Sequence, residues 1–293
     1  MEITDLVKTK GFVVTAELGP PKGTNMAPFF KQAAYLKGNV DAANVTDQQS
    51  AMMKLGSVAA CHLLKDFGIE PIMQMTCRDK NRIGLQSDIL SGAVLGIQNI
   101  LVLTGDPVKI GDHPDAKPVF DVDAADFMAV IKTMETGKDM AGKDLDGKPE
   151  FCVGAALNPC VEDIETEISK TRRKIEKGAE FFQTQGVFDL GRFTRFMERY
   201  KKEGFQAPVL AGIILIKSVK MARFMNEKIP GIFIPEEMIA RFEGTADAKG
   251  ESVRVATELI QKVRPHVQGV HLMAIGWEEL IPPIVSAALS KAL

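Results

Sequence analysis

Short runs of β-branched and apolar residues alternate along the chain with longer segments of helical hydrophobic period. The short runs predict eight strands, at residues 12–17, 42–46, 71–76, 99–104, 151–157, 180–184, 208–215 and 268–273. The longer segments predict helices at 28–36, 53–66, 88–95, 122–136, 162–177, 190–202, 219–228 and 250–263, with a final helix at about 278–293. Strands and helices that alternate in this way are typical of βα units around a parallel sheet.

The spacing of these strands favours a closed barrel. Their starts lie near residues 12, 41, 71, 99, 151, 180, 208 and 268, so that five of the seven intervals are 28–30 residues long, the length of one βα unit. The two longer intervals predict insertions near 107–149 and 229–249. No G-x-G-x-x-G follows the first strand and no Walker A motif is present, which weakens the dinucleotide-binding and NTPase alternatives. We therefore predict an α/β protein, a single-domain (β/α)8 TIM barrel over residues 1–293, rather than an open doubly wound sheet.

Composition and charge exclude several classes of protein. Of the 293 residues, 45% are hydrophobic and 25% are charged, as in an ordinary folded chain. The 36 Lys and Arg against 38 Asp and Glu leave a net charge of -2, which offers no basic field for a nucleic acid. The longest apolar run, at 209–216, is far shorter than the roughly 20 residues of a membrane span. The acidic N-terminus does not resemble a signal peptide, and the chain is expected to be cytoplasmic.

The residue types that bind metals are scattered along the chain, and no metal site is expected. The four histidines and four cysteines show no zinc, iron–sulfur or disulfide spacing. Cys77 lies at a strand end without a neighbour that would lower the pKa of its thiol, so packing is the favoured interpretation.

Polar residues at the carboxyl ends of the predicted strands are the first candidates for a site, because barrel active sites lie there. They are Glu17, Thr46, Asp47, Thr76, Cys77, Arg78, Asp79, Gly105, Asp106, Asn158, Gln185, Lys217, Ser218 and His271. Glu17 ends the first strand before a rigid Gly-Pro-Pro turn, where burial would raise the pKa of its carboxyl, as suits a general acid. Asp106 follows Gly105, which allows a ligand to approach the backbone. For any single strand-end carboxylate, a helix cap or a solvated charge is an equally good interpretation.

Six segments, spread between about residues 11 and 288, resemble the methylenetetrahydrofolate reductase family. They are AELGPP at 16–21, NVTD at 44–47, MTCRDKNR at 75–82, LTGDP at 103–107, GAEFFQTQ at 178–185 and GVHLMAIGW at 269–277. Each is weak alone, but they occur in order and at strand ends. The resemblance, which is to bacterial members from anaerobes, implies a flavin-dependent (β/α)8 oxidoreductase that reduces 5,10-methylenetetrahydrofolate to 5-methyltetrahydrofolate.

The same resemblance implies roles for the candidate residues. Glu17 corresponds to a general acid that protonates the folate nitrogen as the five-membered ring opens, and the resulting iminium cation receives hydride from N5 of the reduced flavin. Asp106 would stabilise that cation and hydrogen-bond the pterin, which Gln185 would contact through its amide. Flavin contacts are implied for Thr46, Gln74, Thr76, Thr104, Gly105, Asp106, Asn158, Glu167 and Lys174.

Departures from the family pattern leave the choice of flavin open. Gln74 replaces a histidine found in some members, and Glu167 stands where aspartate is commoner. Thr104 occupies the place of an arginine before the Gly-Asp pair. That arginine would offer a cationic fork to the diphosphate of FAD, so its absence makes FMN an alternative. FAD remains the first expectation from the family.

The electron donor and the partners also remain open. The resemblance allows NADH or a reduced partner protein, and it implies a small cysteine-rich partner subunit within an oligomer or hetero-complex. Bulky Met273 and Trp277 near the last strand would hinder a stacked nicotinamide, although folate packing or simple capping of the barrel explains them equally well. Two alternatives to an autonomous reductase are a flavin subunit that works only inside an electron-transfer complex and a flavin-free, pterin-binding methyltransferase barrel.

Overall fold

Eight parallel strands hydrogen-bond in chain order, and the last returns to the first. The computed structural model describes residues 1–290. The strands are β1 (Val13–Leu18), β2 (Ala42–Val45), β3 (Pro71–Thr76), β4 (Asn99–Leu103), β5 (Cys152–Leu157), β6 (Phe181–Gly186), β7 (Val209–Ile214) and β8 (Gly269–Met273). Every predicted strand is present, with bounds within two residues of the prediction. The predicted fold, a (β/α)8 TIM barrel, is confirmed.

Helices connect the strands on the outside of the barrel. They are α1 (Ile3–Lys10), α2 (Ala27–Leu36), α3 (Ser57–Asp66), α4 (Arg82–Val94), α5 (Ala124–Glu135), α6 (Ile164–Glu176), α7 (Leu190–Lys202), α8 (Val219–Lys228), α9 (Glu236–Ala240), α10 (Ala248–Val263) and α11 (Ile281–Leu289). Short 3₁₀ turns lie at Gln49–Ala51, Val108–Ile110, Arg264–His266 and Glu278–Leu280. Side-chain caps set several of the starts, because an Asp, Asn or Ser oxygen accepts from backbone N–H groups of the first turn. The capping residues are Asn81, Asp123, Asp163, Asp189, Ser218 and Asp247.

The helix predictions were wrong at five places. Helices α1 and α9 were not predicted, and α3 begins at Ser57 rather than at residue 53. Helix α4 begins at Arg82 rather than at 88, because Asn81 accepts from the N–H groups of Ile83 and Gly84. The predicted final helix at 278–293 is a 3₁₀ turn followed by α11, which ends at Leu289, and residues 291–293 lie outside the described residues.

The two predicted insertions lie in the longest connections of the barrel. The segment at 107–149 runs from β4 to β5 and contains the 3₁₀ turn Val108–Ile110 and α5. The segment at 229–249 lies between β7 and β8 and contains α9. Within residues 1–290, no helix has the length and apolar character needed to cross a membrane.

The interior of the barrel changes from apolar to polar along its axis. At the amino ends of the strands, α1 and the inward-facing side chains form an apolar layer that we call the floor: Ile3, Leu6, Val13, Ala42, Ile72, Leu101, Cys152, Phe181 and Leu210. Helix α1 is held there by the hydrogen bond from Ile3 N to Asn99 Oδ1, at 2.8 Å. The Phe181 ring fits because residue 154 is glycine, where a Cβ atom would overlap it. Above the floor the inward positions become polar, and the barrel opens into a cavity.

Candidate active site

A cavity of about 470 Å³ lies at the carboxyl ends of the strands, within the range of small-molecule sites. Ten of the eleven candidate site residues line it: Glu17, Gln74, Thr76, Thr104, Gly105, Asp106, Asn158, Glu167, Lys174 and Gln185. The eleventh, Thr46, is 1% exposed and does not belong to the lining. Its Oγ1 makes no hydrogen bond within residues 1–290. The residues at strand ends were expected here from the geometry of the barrel, whereas Glu167 and Lys174, on α6, were expected from the family resemblance alone.

Glu17 lies in the cavity wall on β1, with its side chain 15% exposed. Gln49 Nε2 donates a hydrogen bond to Glu17 Oε1 at 2.8 Å. On the other side, His271 Nε2 lies 3.9 Å from Glu17 Oε2. The carboxylate thus has an amide from a loop on one oxygen and an imidazole from β8 near the other.

The expected direction of the Glu17 pKa was wrong. Burial is the largest influence and raises the pKa, as the apolar strand suggested. The combined effect of His271, Gln49 and Gln74 outweighs burial, so the pKa of Glu17 lies below its ordinary value. Each of these side chains comes from a different element, which is why the local sequence of β1 did not reveal them.

Asp106 is exposed at the rim of the cavity, directly after Gly105. Its Oδ2 accepts a hydrogen bond from Ser50 N at 3.0 Å. Gly105 has φ +93°, and a Cβ there would crowd the Arg78 and Thr76 side chains, so only glycine fits easily.

One loop contacts both candidate carboxylates. The segment of residues 48–51, here called the bridging loop, bonds Glu17 through the Gln49 side chain and Asp106 through Ser50 N. Gln48, Ser50 and Ala51 all have positive φ, of 46°, 55° and 55°. Such conformations cost non-glycine residues energy and are often found at functional sites. No sequence pattern indicated this loop, because its role depends on contacts with Glu17 of β1 and with Asp106 after β4.

Lys174 and Glu167 reach the cavity from α6. Lys174 Nζ donates to Ala156 O at 2.6 Å, and burial lowers the pKa of its ammonium group. Glu167 Oε1 accepts from Asn158 N at 3.1 Å. Asn158 Oδ1 is buried and has no hydrogen-bond partner within the described residues. This side of the cavity therefore offers an ammonium group and a buried amide oxygen to a polar ligand.

Arg78 and Asp47 line the cavity but were given no role from the sequence. Arg78 is 1% exposed, and its guanidinium donates to both Asp79 oxygens and to the carbonyls of Asp106 and Gln48. Asp47 accepts from the backbone N–H and the hydroxyl of Thr76, and burial raises the pKa of its carboxyl. Their place directly after buried strands was the available signal. The guanidinium is already held by four acceptors, so it stabilises the rim of the cavity.

A buried polar layer borders the bottom of the cavity, and of its members only His271 was among the candidates from the sequence. The layer consists of Thr15, Asn44, Gln183 and His271, which are at most 3% exposed. The signal was present in the sequence, since each is a polar residue inside an apolar strand at an inward position.

The bulky residues near β8 separate in the structure. Met273 lines the cavity. Trp277 is not part of the lining, and Lys217 and Lys249 lie over its ring, with Nζ 5.1 Å and 5.7 Å from the centroid. Cys77 is buried, which raises the pKa of its thiol to about 12. Within residues 1–290, no group of three or more His, Cys, Asp or Glu side chains is placed to hold a metal ion.

The structure is a closed (β/α)8 barrel with a polar cavity at the carboxyl ends of its strands, which is where barrel active sites lie. Residues 2–288 match the family model described as "Methylenetetrahydrofolate reductase", and the chain belongs to that family. The resemblance inferred from the sequence motifs is thereby confirmed.

Individual relatives agree with this assignment. The chain is 24% identical over 229 residues to "Methylenetetrahydrofolate reductase 1" of Schizosaccharomyces pombe, covering 75% of this chain and 36% of that protein. It is 25% identical over 179 residues to "5,10-methylenetetrahydrofolate reductase" of Salmonella typhimurium, covering 60% of this chain and 54% of that protein. The matches thus span from about a third to about half of the length of these relatives.

Solved structures show the same fold. An uncharacterised protein from Clostridium thermocellum, described as binding two copies of 5-methyl-5,6,7,8-tetrahydrofolic acid, superposes with a TM-score of 0.59 at 15% identity, covering 94% of each chain. An F420-dependent secondary alcohol dehydrogenase gives a TM-score of 0.58 at 12% identity, covering 94% of this chain and 99% of that one. At these identities the likeness concerns the fold alone.

Proposed function

We propose that this chain is a flavin-dependent enzyme that reduces 5,10-methylenetetrahydrofolate to 5-methyltetrahydrofolate. The observation that carries the proposal is that Glu17 and Asp106 open into one cavity of a chain of this family. The relative from Salmonella typhimurium is named for the same reaction, and the structural neighbour from Clostridium thermocellum is described as binding the methylated folate.

The cavity fits a flavin. Leu101, Leu103 and Leu157 give it apolar walls for a flat ring. Lys174 and the buried Asn158 Oδ1 lie on one side, where the ammonium suits a phosphate and the amide oxygen suits a hydroxyl donor. When bound, the flavin would supply the hydride. We assign Gln74, Thr76, Thr104, Gly105, Asp106 and Glu167 to the same site, with FAD preferred and FMN as its alternative. Thr46 would join them through its unbonded Oγ1 only if the neighbouring side chains rearrange.

Glu17 would provide the proton that opens the folate ring. Its carboxyl transfers a proton to the folate nitrogen as the bond from that nitrogen to the methylene carbon breaks, which leaves a cationic iminium group on the folate. Since the pKa of Glu17 is low while Gln49 and His271 contact it, binding of folate must displace Gln49 or bury the carboxyl further before the proton is held.

Asp106 and Gln185 would bind and stabilise the folate. A carboxylate next to the iminium group lowers the energy of that cation by direct electrostatic attraction. Gln185 Oε1 accepts from Gly186 N at 3.1 Å, which fixes the side chain in the cavity wall and leaves its Nε2 group as a donor for the pterin.

We further propose that a reduced partner protein, rather than NADH, delivers the electrons. Met273 in the cavity wall and Thr104 in place of a cationic residue support this choice, because both reduce the fit of a stacked nicotinamide dinucleotide. The partner expected from the resemblance is a small cysteine-rich subunit in a hetero-complex.

The spectrum of the purified chain tests the cofactor. Flavin absorption, with the released flavin identified by mass as FAD or FMN, is expected. A colourless protein that still binds methyltetrahydrofolate would support the flavin-free methyltransferase alternative and contradict our proposal.

Steady-state assays test the donor. The pure chain should oxidise methyltetrahydrofolate with an artificial electron acceptor yet oxidise NADH slowly with methylenetetrahydrofolate present. Rapid NADH oxidation without any added protein would overturn the partner proposal and leave the reductase proposal intact.

A further inference from the structure

A continuous chain of buried side chains runs from the barrel interior to Glu17. Asn44 Nδ2 donates to Gln183 Oε1 at 2.7 Å, and Gln183 Nε2 donates back to Asn44 Oδ1 at 3.0 Å. The second hydrogen of Gln183 Nε2 donates to Thr15 Oγ1 at 3.2 Å. Thr15 Oγ1 lies 2.9 Å from His271 Nδ1, and His271 Nε2 faces Glu17 at 3.9 Å.

The amides of Asn44 and Gln183 set the order of donors and acceptors along these hydrogen bonds. Thr15 Oγ1 accepts from Gln183, so the one proton of its hydroxyl is available to donate elsewhere. His271 Nδ1 at 2.9 Å is a nearer acceptor than Val270 O at 3.4 Å. A donor at Nδ1 requires that this nitrogen carry no proton, so the proton of the neutral imidazole lies on Nε2.

Glu17, at the other end of this series of side chains, favours the same tautomer of His271. Glu17 Oε2 is the acceptor that faces Nε2, and a lone pair on Nε2 would be repelled by the carboxylate. Both neighbours of the imidazole therefore place its proton on the side of Glu17. The distance of 3.9 Å exceeds that of a hydrogen bond, so a small movement of either side chain completes the contact.

We propose that Asn44, Gln183 and Thr15 are positioning residues that hold His271 as its Nε2–H tautomer, and that His271 in turn orients the carboxyl of Glu17. The role given to Glu17 rests on the proposed function, whereas the tautomer of His271 does not. When folate displaces Gln49, the imidazole N–H is the contact that keeps Glu17 aimed into the cavity. A third group that orients the acid or base is a recurrent element of enzyme sites.

Nitrogen NMR of the histidine side chains tests the tautomer directly. The signal of His271, assigned by its loss in His271→Gln, should show Nε2 protonated and Nδ1 unprotonated but hydrogen-bonded at neutral pH. In Thr15→Val, the chemical shift of Nδ1 should change to that of a nitrogen without a hydrogen bond, and in Thr15→Ser it should stay as in the native chain. A protonated Nδ1 in the native chain, or an unchanged chemical shift of Nδ1 in Thr15→Val, would overturn the proposal. Gln183→Met, which removes the donor to Thr15, serves if Thr15→Val fails to fold, and it must weaken the same Nδ1 bond.

Kinetics test the positioning of Glu17. Thr15→Val should lower kcat for folate about tenfold with KM unchanged, because it removes an orienting contact and no contact to substrate. Thr15→Ser should restore kcat, and both variants should unfold at nearly the same denaturant concentration. Equal kcat in both variants would overturn the link to Glu17.

The tautomer of His271 is a readout that a merely structural role of Thr15 would not move. If the chain binds no flavin, the NMR result still decides the tautomer, so failure of the proposed function is distinguishable.

Discussion

The two ends of the barrel interior differ in what their inward-facing residues do. At the floor, Phe181, Leu210 and Ile3 are fully buried and pack against one another. At the mouth, the same alternation of inward positions brings Glu17, Gln74 and His271 to the cavity. The floor thus removes apolar surface from water, while the mouth holds polar groups that compete with burial.

Single strands show this change within a few residues. β6 carries Phe181 in the floor, Gln183 in the buried polar layer and Gln185 at the cavity. β1 passes in the same way from Val13 through Thr15 to Glu17. The inward positions of one strand thus serve stability at one end and chemistry at the other, so mutations at the two ends should have separable effects.

The largest expected effect is on stability, at the floor. Phe181→Ala leaves a cavity over Gly154 and should lower the free energy of unfolding by about 3–5 kcal/mol. Phe181→Leu fills part of the space and should therefore lower the free energy of unfolding by less. Denaturant unfolding measures both, and folate turnover per folded molecule should be unchanged. Loss of turnover without loss of stability would contradict the division between the two ends.

The next largest effect is on turnover, at the mouth. Glu17→Gln keeps the shape and removes the transferable proton, so folate turnover should fall about 10²-fold or more, which corresponds to about 2.7 kcal/mol or more in activation free energy. Reduction of the flavin by an artificial donor should survive. Glu198→Gln, at an exposed position of α7, is the control and should match the native chain. Nearly normal folate reduction by Glu17→Gln would exclude Glu17 as the acid.

Asp106→Asn should have a smaller effect, because this carboxylate is exposed and solvent screens its charge. The bond from Ser50 N is retained by the amide oxygen, so only the charge changes. We expect folate turnover to fall about tenfold and the flavin reduction potential to rise. An unchanged potential with normal folate kinetics would remove Asp106 from the site.

The smallest effect is the pH dependence of stability at Glu17. Its pKa in the folded chain lies below the ordinary value of 4.5, so its ionised form contributes stability that is fully present above the unfolded value. That contribution is lost as the pH falls below about 4.5 and through the folded value. The free energy of unfolding of the native chain and of Glu17→Gln is measured with denaturant between neutral and acidic pH. The difference between the two free energies should become smaller as the pH falls. A difference that grows on acidification would mean that the pKa of Glu17 is raised in the folded chain.

The fold could be predicted from the sequence because each strand carries its own signal. A short apolar run such as residues 71–76 indicates a buried strand by itself, and the regular spacing of eight such runs indicates the barrel. Helix α1 was missed because eight residues give too few turns for a clear period. The start of α4 was missed although Asn81 carries a cap signal.

The positions of the carboxylates could be predicted from the strand ends, which pointed to Glu17 and Asp106 in one cavity. Lys174 lies on α6, and only the resemblance to the family placed it in the site. The direction of the Glu17 pKa could not be obtained, because Gln49 comes from a loop of unusual backbone conformation and His271 from the last strand. The link from Gln183 to Thr15 likewise needs the closed barrel, since β6 and β1 are not neighbours in the sheet.

The most direct test of the proposed reductase is rapid anaerobic mixing of the purified, flavin-loaded chain with 5-methyltetrahydrofolate. We predict that the native chain loses its flavin absorption in a single turnover and that Glu17→Gln does so about 10²-fold more slowly. Persistent flavin absorption in the native chain, or bleaching at the same rate in both proteins, would contradict the account.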